Sequence, residues 1–343
     1  MSNSDFGFAI VGTGMIAAVV ADALAQAKNT SLRAVSSRQL DNARNFVANR
    51  PGAEAVQGHE ALLRCADIHA VYIATPTMAK EAIALAAIAA GKHVLVDKPF
   101  FNQASVLRMT QAASAANLAF MDATHFVHHP RTAAIQAATA AGIGSPRSLH
   151  TAFYFPFSDR NNIRFDPSQE PMTVLGDMAW YSMRAIVEYL RPEGRVASAI
   201  TIPERDPRTK AIVRASGAIA FESGENSTYD VGYTAGTALA DLQLIGTAGA
   251  IGMDDFVLDW SNSFAYKNPD IVCGYAHRTG MATRKEIAFI PTPSTTGQEV
   301  RMVENFATLA TSGSTAERAR FSAATLKTQQ YLDAAWEALT DTR

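Results

Sequence analysis

The sequence predicts an α/β chain of two domains: a helix-wrapped parallel sheet, then an α/β domain with a large open, mainly antiparallel sheet. Three observations predict it. Residues 1–123 alternate short apolar runs with alanine-rich segments of helix length, the pattern of βαβ units. After residue 123 come longer strand-like segments bounded by Gly, Ser and Asn, with few helices between them. At 343 residues the chain exceeds one ordinary core, and a division into 1–123 and 124–343 gives two of workable size.

In the first part, residues 8–11, 32–36, 70–75, 93–97 and 118–122 read as strands. They are near-continuous apolar runs, as strands buried on both faces must be. Residues 16–26, 40–49, 80–90 and 105–116 read as the helices between them. Five strands in this alternation predict a Rossmann-type domain. In the second part, residues 148–155, 211–222, 227–234 and 239–246 read as strands. Leu149, Thr151, Phe153 and Phe155 share one face of theirs; His150, Ala152 and Tyr154 share the other. A sheet with helices on one face leaves the other for a partner subunit, so a homodimer or higher oligomer through this sheet is expected. Residues 177–190 read as a helix. Phe321, Leu332, Ala335, Trp336 and Leu339 form one stripe of a C-terminal helix, expected to pack back on the first domain.

Composition narrows the function classes. Hydrophobic residues make up 48% and charged ones 18%, so the chain folds rather than staying disordered. A net charge of -2 argues against nucleic acid or an anionic membrane as partner. Cys65 and Cys273 fall in different domains without motif spacing and read as reduced, buried thiols. Residues 82–90 are apolar but far short of the roughly 20 residues of a membrane span. Residues 1–5 lack a charged-then-apolar leader, so a cytoplasmic protein is expected.

The first strand leads into Val11-Gly12-Thr13-Gly14-Met15-Ile16-Ala17. Gly12 permits a tight turn, Gly14 lets backbone approach a pyrophosphate, and Ala17 keeps the helix close to the strand. The helix start then offers N–H groups to phosphate oxygens. A glycine turn that fits by chance is the alternative. The second strand ends in Ser37-Arg38 with no carboxylate until Asp41. An acidic residue there would accept from the ribose hydroxyls of NAD. Arg38 instead suits a 2′-phosphate, with Ser37 donating a hydrogen bond, so NADP is favoured and NAD stays possible. A solvated arginine opening the next helix is the bland reading. At the end of another strand, Val94-Leu95-Val96-Asp97-Lys98-Pro99 sets one lysine before a proline, where a cis bond is cheap and would turn the chain sharply.

Val11–Ala17, Ala74-Thr75-Pro76-Thr77, Gly91–Pro99 and Leu175-Gly176-Asp177-Met178-Ala179-Trp180-Tyr181 together resemble the glucose–fructose oxidoreductase/inositol dehydrogenase family of NAD(P)-dependent dehydrogenases. The likeness covers nearly the whole chain. It implies an active site between a Rossmann domain and an open-faced sheet, with Thr75, Pro76 and Asp97 beside the cofactor. It further implies that Lys98 faces nicotinamide and substrate, that Asp177 contributes to the substrate site, and that Tyr181 acts as acid/base. Two positions depart from the pattern: Asp97 stands where the family commonly has Glu, and Lys80 where it commonly has His.

Asp177 and Tyr181, four residues apart on a helix, share a face. A phenol ordinarily titrates near about 10; a neighbouring Lys98 ammonium would lower that. Proton removal from a substrate hydroxyl would then accompany hydride loss to the nicotinamide. A core tyrosine with a satisfied hydroxyl is the alternative. Trp180 lines or flanks the pocket. His125, His128 and His129 invite a metal, yet no acidic or cysteine ligand follows at a recognised spacing. His128 is instead expected to face substrate. Arg164 in a polar loop suits a substrate hydroxyl or carboxylate, or a surface salt bridge. The leading expectation is an NADP-dependent dehydrogenase or reductase of a sugar, cyclic polyol or related diol. Tyr181 and Ser37-Arg38 look more like the dihydrodiol/xylose dehydrogenase and glucose–fructose oxidoreductase branches than the inositol branch. A catalytically silent NAD(P)-binding sensor is the competing class, and it would not require Lys98, Asp177 and Tyr181 together.

Overall fold

Short apolar strands, paired parallel, build the first of two units. The computed structural model describes residues 5–283 and 286–340, so most of the segment read for targeting signals lies outside it. The first unit runs to His125 and is joined by Glu299–Leu326. Its elements are β1 (Phe6–Val11), α1 (Met15–Gln26), β2 (Thr30–Ser37), α2 (Leu40–Val47), β3 (Glu54–Gln57), α3 (Glu60–Leu63), β4 (Ala70–Ile73), α4 (Thr77–Ala89), β5 (His93–Val96), α5 (Gln103–Ala115) and β6 (Phe120–Asp122). Among the described residues the strands form a six-stranded sheet in the order β3-β2-β1-β4-β5-β6, with every pairing parallel. The order reverses between β1 and β4, and in such sheets ligands bind at the carboxyl ends of strands beside that point.

Local chemistry sets the boundaries. The side chain of Asn102 accepts a hydrogen bond from Ser105 N and caps α5. Gly91, with φ +75°, stops α4 in the left-handed turn that glycine adopts without strain. The strand missed from sequence is β3: four residues with exposed ends at the sheet edge, carrying no apolar run.

The second unit comprises Phe126–Gln298 and the chain from Lys327. It contains α6 (Pro130–Ala138), β7 (Pro146–Tyr154), α7 (Trp180–Ala185), β8 (Val196–Arg205), β9 (Ile212–Phe221), β10 (Asn226–Gly232), β11 (Leu239–Gly246), β12 (Gly249–Met253), β13 (Gly274–Thr279) and β14 (Ala288–Pro291). These strands form an eight-stranded sheet among the described residues, in the order β14-β13-β12-β11-β7-β10-β9-β8. It is antiparallel except where β10 runs parallel to β7. The predicted alternation on β7 holds from Leu149 to Phe153; Tyr154 is buried as well, its hydroxyl donating to Asp230, and Phe155 lies past the end of the strand. Leu149, Thr151 and Phe153 are buried beneath the helical segment 175–190, while His150 and Ala152 are only half-buried. That segment starts two residues earlier than predicted, and a wide i→i+5 turn flanks α7 on each side. Sequence reading missed β8 and β12 to β14. In β8, Ile200 and Ile202 are exposed and Pro203 interrupts the pattern.

The chain closes with α8 (Gln298–Thr311) and α9 (Thr315–Glu337). Helix α9 ends before Leu339, which the predicted stripe had included. The chain there extends along the edge of β8, Thr201 N donating to Ala338 O at 3.0 Å and Thr340 N to Thr201 O at 2.8 Å. Pairing those edge groups overrides the helical period. Among the described residues no helix is long and apolar enough to cross a membrane.

Candidate functional site

At the carboxyl edge of the first unit's sheet, the turn after β1 comes first. Gly12 has φ +117°, and a Cβ there would stand 2.4 Å from the carbonyl oxygen of Ala74. Its N–H donates to Ser36 O at 2.9 Å, so the turn is pinned between β2 and the end of β4. Gly14 is the N-cap of α1 in ordinary extended backbone, and no side chain caps that helix. Nothing lies within 4 Å of where its Cβ would be. Glycine therefore keeps the approach to the helix N-terminus open. Thr13 and Ile16 are half-buried, Met15 is exposed, and Ala17 is fully buried in the core beneath.

Neighbouring strand ends complete this edge. Ser37 is half-buried and Arg38 exposed at the end of β2; the carbonyl of Arg38 accepts from Gln57 Nε2 at 3.3 Å. Asp41 pairs with Arg44 at 3.1 Å. After β4, the hydroxyl of Thr75 is buried without a hydrogen-bond partner, and Pro76 caps α4. An uncapped helix start, a glycine cradle that a Cβ would fill and an orphaned hydroxyl are what a bound dinucleotide would use.

After β5, the half-buried Asp97 and Lys98 follow, and the Lys98–Pro99 bond is cis. Lys80 is 2% exposed on α4, and its ammonium donates to the carbonyls of Lys98 and Pro99, both at 2.9 Å. Lys80 is one of the two positions that depart from the family pattern, Asp97 being the other.

The second unit holds the other predicted residues. Arg164 Nε donates to Asp177 Oδ2 at 2.6 Å. Asn162 Oδ1 accepts from the Arg164 backbone N–H at 3.1 Å, and the guanidinium lies 4.6 Å over the Phe157 ring. Arg164 and Asp177 thus form an ion pair in which both side chains are partly buried. Tyr233, missed from sequence, donates to the same carboxylate oxygen at 3.1 Å. Burial and the adjacent Asp177 charge push its phenol well above the usual value. Four residues on, Tyr181 is 7% exposed, with Phe153 edge-on at 5.5 Å and Phe126 at 6.3 Å. Trp180 is fully buried and His128 nearly so. His125 closes the first unit.

His129 meets the partners that local spacing did not show. Its Nδ1 accepts from Arg131 N at 3.0 Å. The neutral ring therefore carries its proton on Nε2 and donates it to Asp259 Oδ2 at 3.2 Å. Burial works against the Asp259 carboxylate, but hydrogen bonds from His129 and Ser261 outweigh it and hold the group below its ordinary range. Cys273 Sγ lies 3.8 Å from His129 Nε2, and burial pushes its thiol up to about 12. Ligand atoms of His129, Asp259 and Cys273 fall within 4.8 Å of one another. Arg131 Nη1 stands 3.0 Å from the sulfur, and Arg131 also pairs with Asp255. His129, Asp259, Cys273, Arg131 and Asp255 together form one buried network of polar and charged side chains.

Comparison with known proteins agrees with the fold. The family described as an oxidoreductase family with an NAD-binding Rossmann fold matches residues 6–124. The dTDP-3,4-didehydro-2,6-dideoxy-alpha-D-glucose 3-reductase of Streptomyces antibioticus is 32% identical over 224 residues, covering 64% of this chain and 66% of that one. Its namesake from Streptomyces violaceoruber is 30% identical over 240 residues, covering 68% and 67%. A 3-ketoreductase from Actinomadura kijaniata, solved with NADP and TDP-benzene, superposes with a TM-score of 0.85 at 22% identity over 98% of both chains. The chain belongs to the glucose–fructose oxidoreductase/inositol dehydrogenase family of oxidoreductases.

Proposed function

We propose that the chain moves hydride between NADP and a secondary alcohol or carbonyl carbon of a sugar, cyclic polyol or related diol. One observation carries this reading. The open helix start at Gly14, Ser37-Arg38, Thr75 and Lys98 all stand at carboxyl ends of strands in one parallel sheet. Gly12 to Ile16 would hold the pyrophosphate, with Thr75, Pro76 and Asp97 along the same edge. Ser37 and Arg38 would read the 2′-phosphate, since no carboxylate stands at the end of β2 to repel it. The nicotinamide supplies or accepts the hydride when bound. Tyr181 would exchange the proton of the substrate oxygen, and Lys98 would supply the positive charge at the cofactor edge of the first unit. Asp177, clamped by Arg164 and Tyr233, would present its carboxylate to substrate hydroxyls, with His128 and Trp180 as further residues of the substrate site. The two relatives named for reducing a 3-keto deoxysugar support a carbonyl-bearing sugar as substrate.

The test is a fluorescence titration of purified protein with NADPH and NADH side by side. NADPH is expected to bind at least tenfold tighter, about 1.4 kcal/mol, with Arg38→Ala removing most of the difference. Binding of neither would sink the reading.

We also propose a homodimer through the bare face of the eight-stranded sheet. That face sets a polar strip, where Ser216 and Tyr154 donate to Asp230 at 2.8 and 2.6 Å, beside the exposed Ile200 and Ile202. Sedimentation at micromolar concentration is expected to give twice the 36.7 kDa chain mass, and Ile202→Glu to give monomer. A monomeric wild type would refute it.

A further inference from the structure

We propose that Lys80 is a positioning residue for Lys98, its buried ammonium fixing the strand-end turn from which the Lys98 side chain projects. The proposal rests on the reading of Lys98 given above. Its grounds are geometric. Lys80 sits one turn into α4, 2% exposed, and its Nζ donates to two consecutive carbonyls, Lys98 O and Pro99 O, each at 2.9 Å. The Thr77 hydroxyl approaches the Pro99 carbonyl at 3.4 Å from the same helix. Burying an ammonium is costly unless hydrogen bonds replace its water, and here the replacement comes from the turn after β5. The two carbonyls belong to the peptide planes on either side of Pro99, so the backbone that aims Lys98 is tied to α4. An imidazole, the residue the family commonly has here, offers at most two donors on a shorter side chain. The longer lysine reaches both carbonyls with one charged group, and charge-assisted bonds are the stronger kind.

Lys92 provides an internal control. It is also buried, and its Nζ donates to Cys65 O and Ile68 O, both at 2.7 Å. Lys92 precedes β5, whereas Lys98 follows it, so one strand carries the same device at both ends.

The experiment uses the full-length protein labelled with 15N-lysine, the Lys98 Nζ signal being assigned by its loss in Lys98→Met. Amide hydrogen exchange of residues 98–101 is followed in the same samples. In Lys80→Met the Lys98 signal is expected to shift and its titration midpoint to move, with amides 98–101 exchanging at least tenfold faster. Lys80→Arg is expected to restore both readouts, and Lys92→Met to leave both unchanged. Lys80→His retains a donor of shorter reach and carries the comparison should Lys80→Met not fold; it is expected to show an intermediate shift. Wild-type behaviour of the Lys98 signal and of these amides in the folded Lys80 variants would overturn the proposal. An equal effect of Lys92→Met would overturn it too. A Lys98→Met enzyme that keeps its turnover would overturn the catalytic reading instead, leaving the signals for Lys80 where they are.

Discussion

Tyr181→Phe is expected to lower turnover by a factor on the order of 10²–10⁴, the range of a single acid/base group. NADPH binding should change little. The substitution removes one oxygen and keeps the ring seated between Phe126 and Phe153, so the fold survives it. Lys98→Met, of similar length and uncharged, is expected to produce a loss of the same order. In both variants kcat and kcat/KM should fall together, because the interaction removed is one made in the transition state. Steady-state kinetics on a sugar or polyol turned over by the wild type checks this. Undiminished kcat in Tyr181→Phe would move the proton-transfer role to another group.

Arg131→Met is expected to destabilise the fold by about 3–5 kcal/mol, the range for removing one partner of a buried ion pair. Arg131 is 3% exposed. It pairs with the Asp255 carboxylate, donates to the Asp255 carbonyl at 2.7 Å, and lies against Cys273. Methionine fills much of the same volume but strands the carboxylate of Asp255, which is itself 3% exposed. Asp255→Leu on top of Arg131→Met should recover much of the loss, because uncompensated charge and not missing bulk is the cause. Urea unfolding at neutral pH measures both. A single-variant cost under about 1 kcal/mol would mean that water reaches the pair.

What the sequence disclosed depended on whether a feature is local. The turn after β1 was legible because its glycines, apolar strand and helix lie within a dozen residues of each other. The helix carrying Asp177 and Tyr181 was legible within two residues of its start because its apolar positions recur along one continuous segment. Strands β3 and β8 were not, since an edge strand with exposed positions lacks the apolar run that marks a buried one. Nothing near Asp177 announced Tyr233, which is 56 residues away and reaches it through the fold. His129 was noticed as one of three histidines, but its partners Asp259 and Cys273 lie 130 and 144 residues downstream. Lys80 stood out as a departure from a pattern, while the carbonyls that explain it emerge from how α4 meets the turn after β5.

Helix α8 returns to the first unit. Val300, Met302, Val303 and Phe306 share a single core with Phe8, Ile10, Leu24 and Met121, and the Phe8 and Phe306 rings lie 5.9 Å apart. A ribosome making this protein completes all of 126–298 before it reaches the helix that covers that face. At roughly 5–20 residues per second, the nascent nucleotide-binding half waits on the order of ten seconds with an apolar surface bare. The half that begins first therefore depends on residues 299–326 to seal its interior, and the half that begins second takes its own last segment, from Lys327 on, only after them.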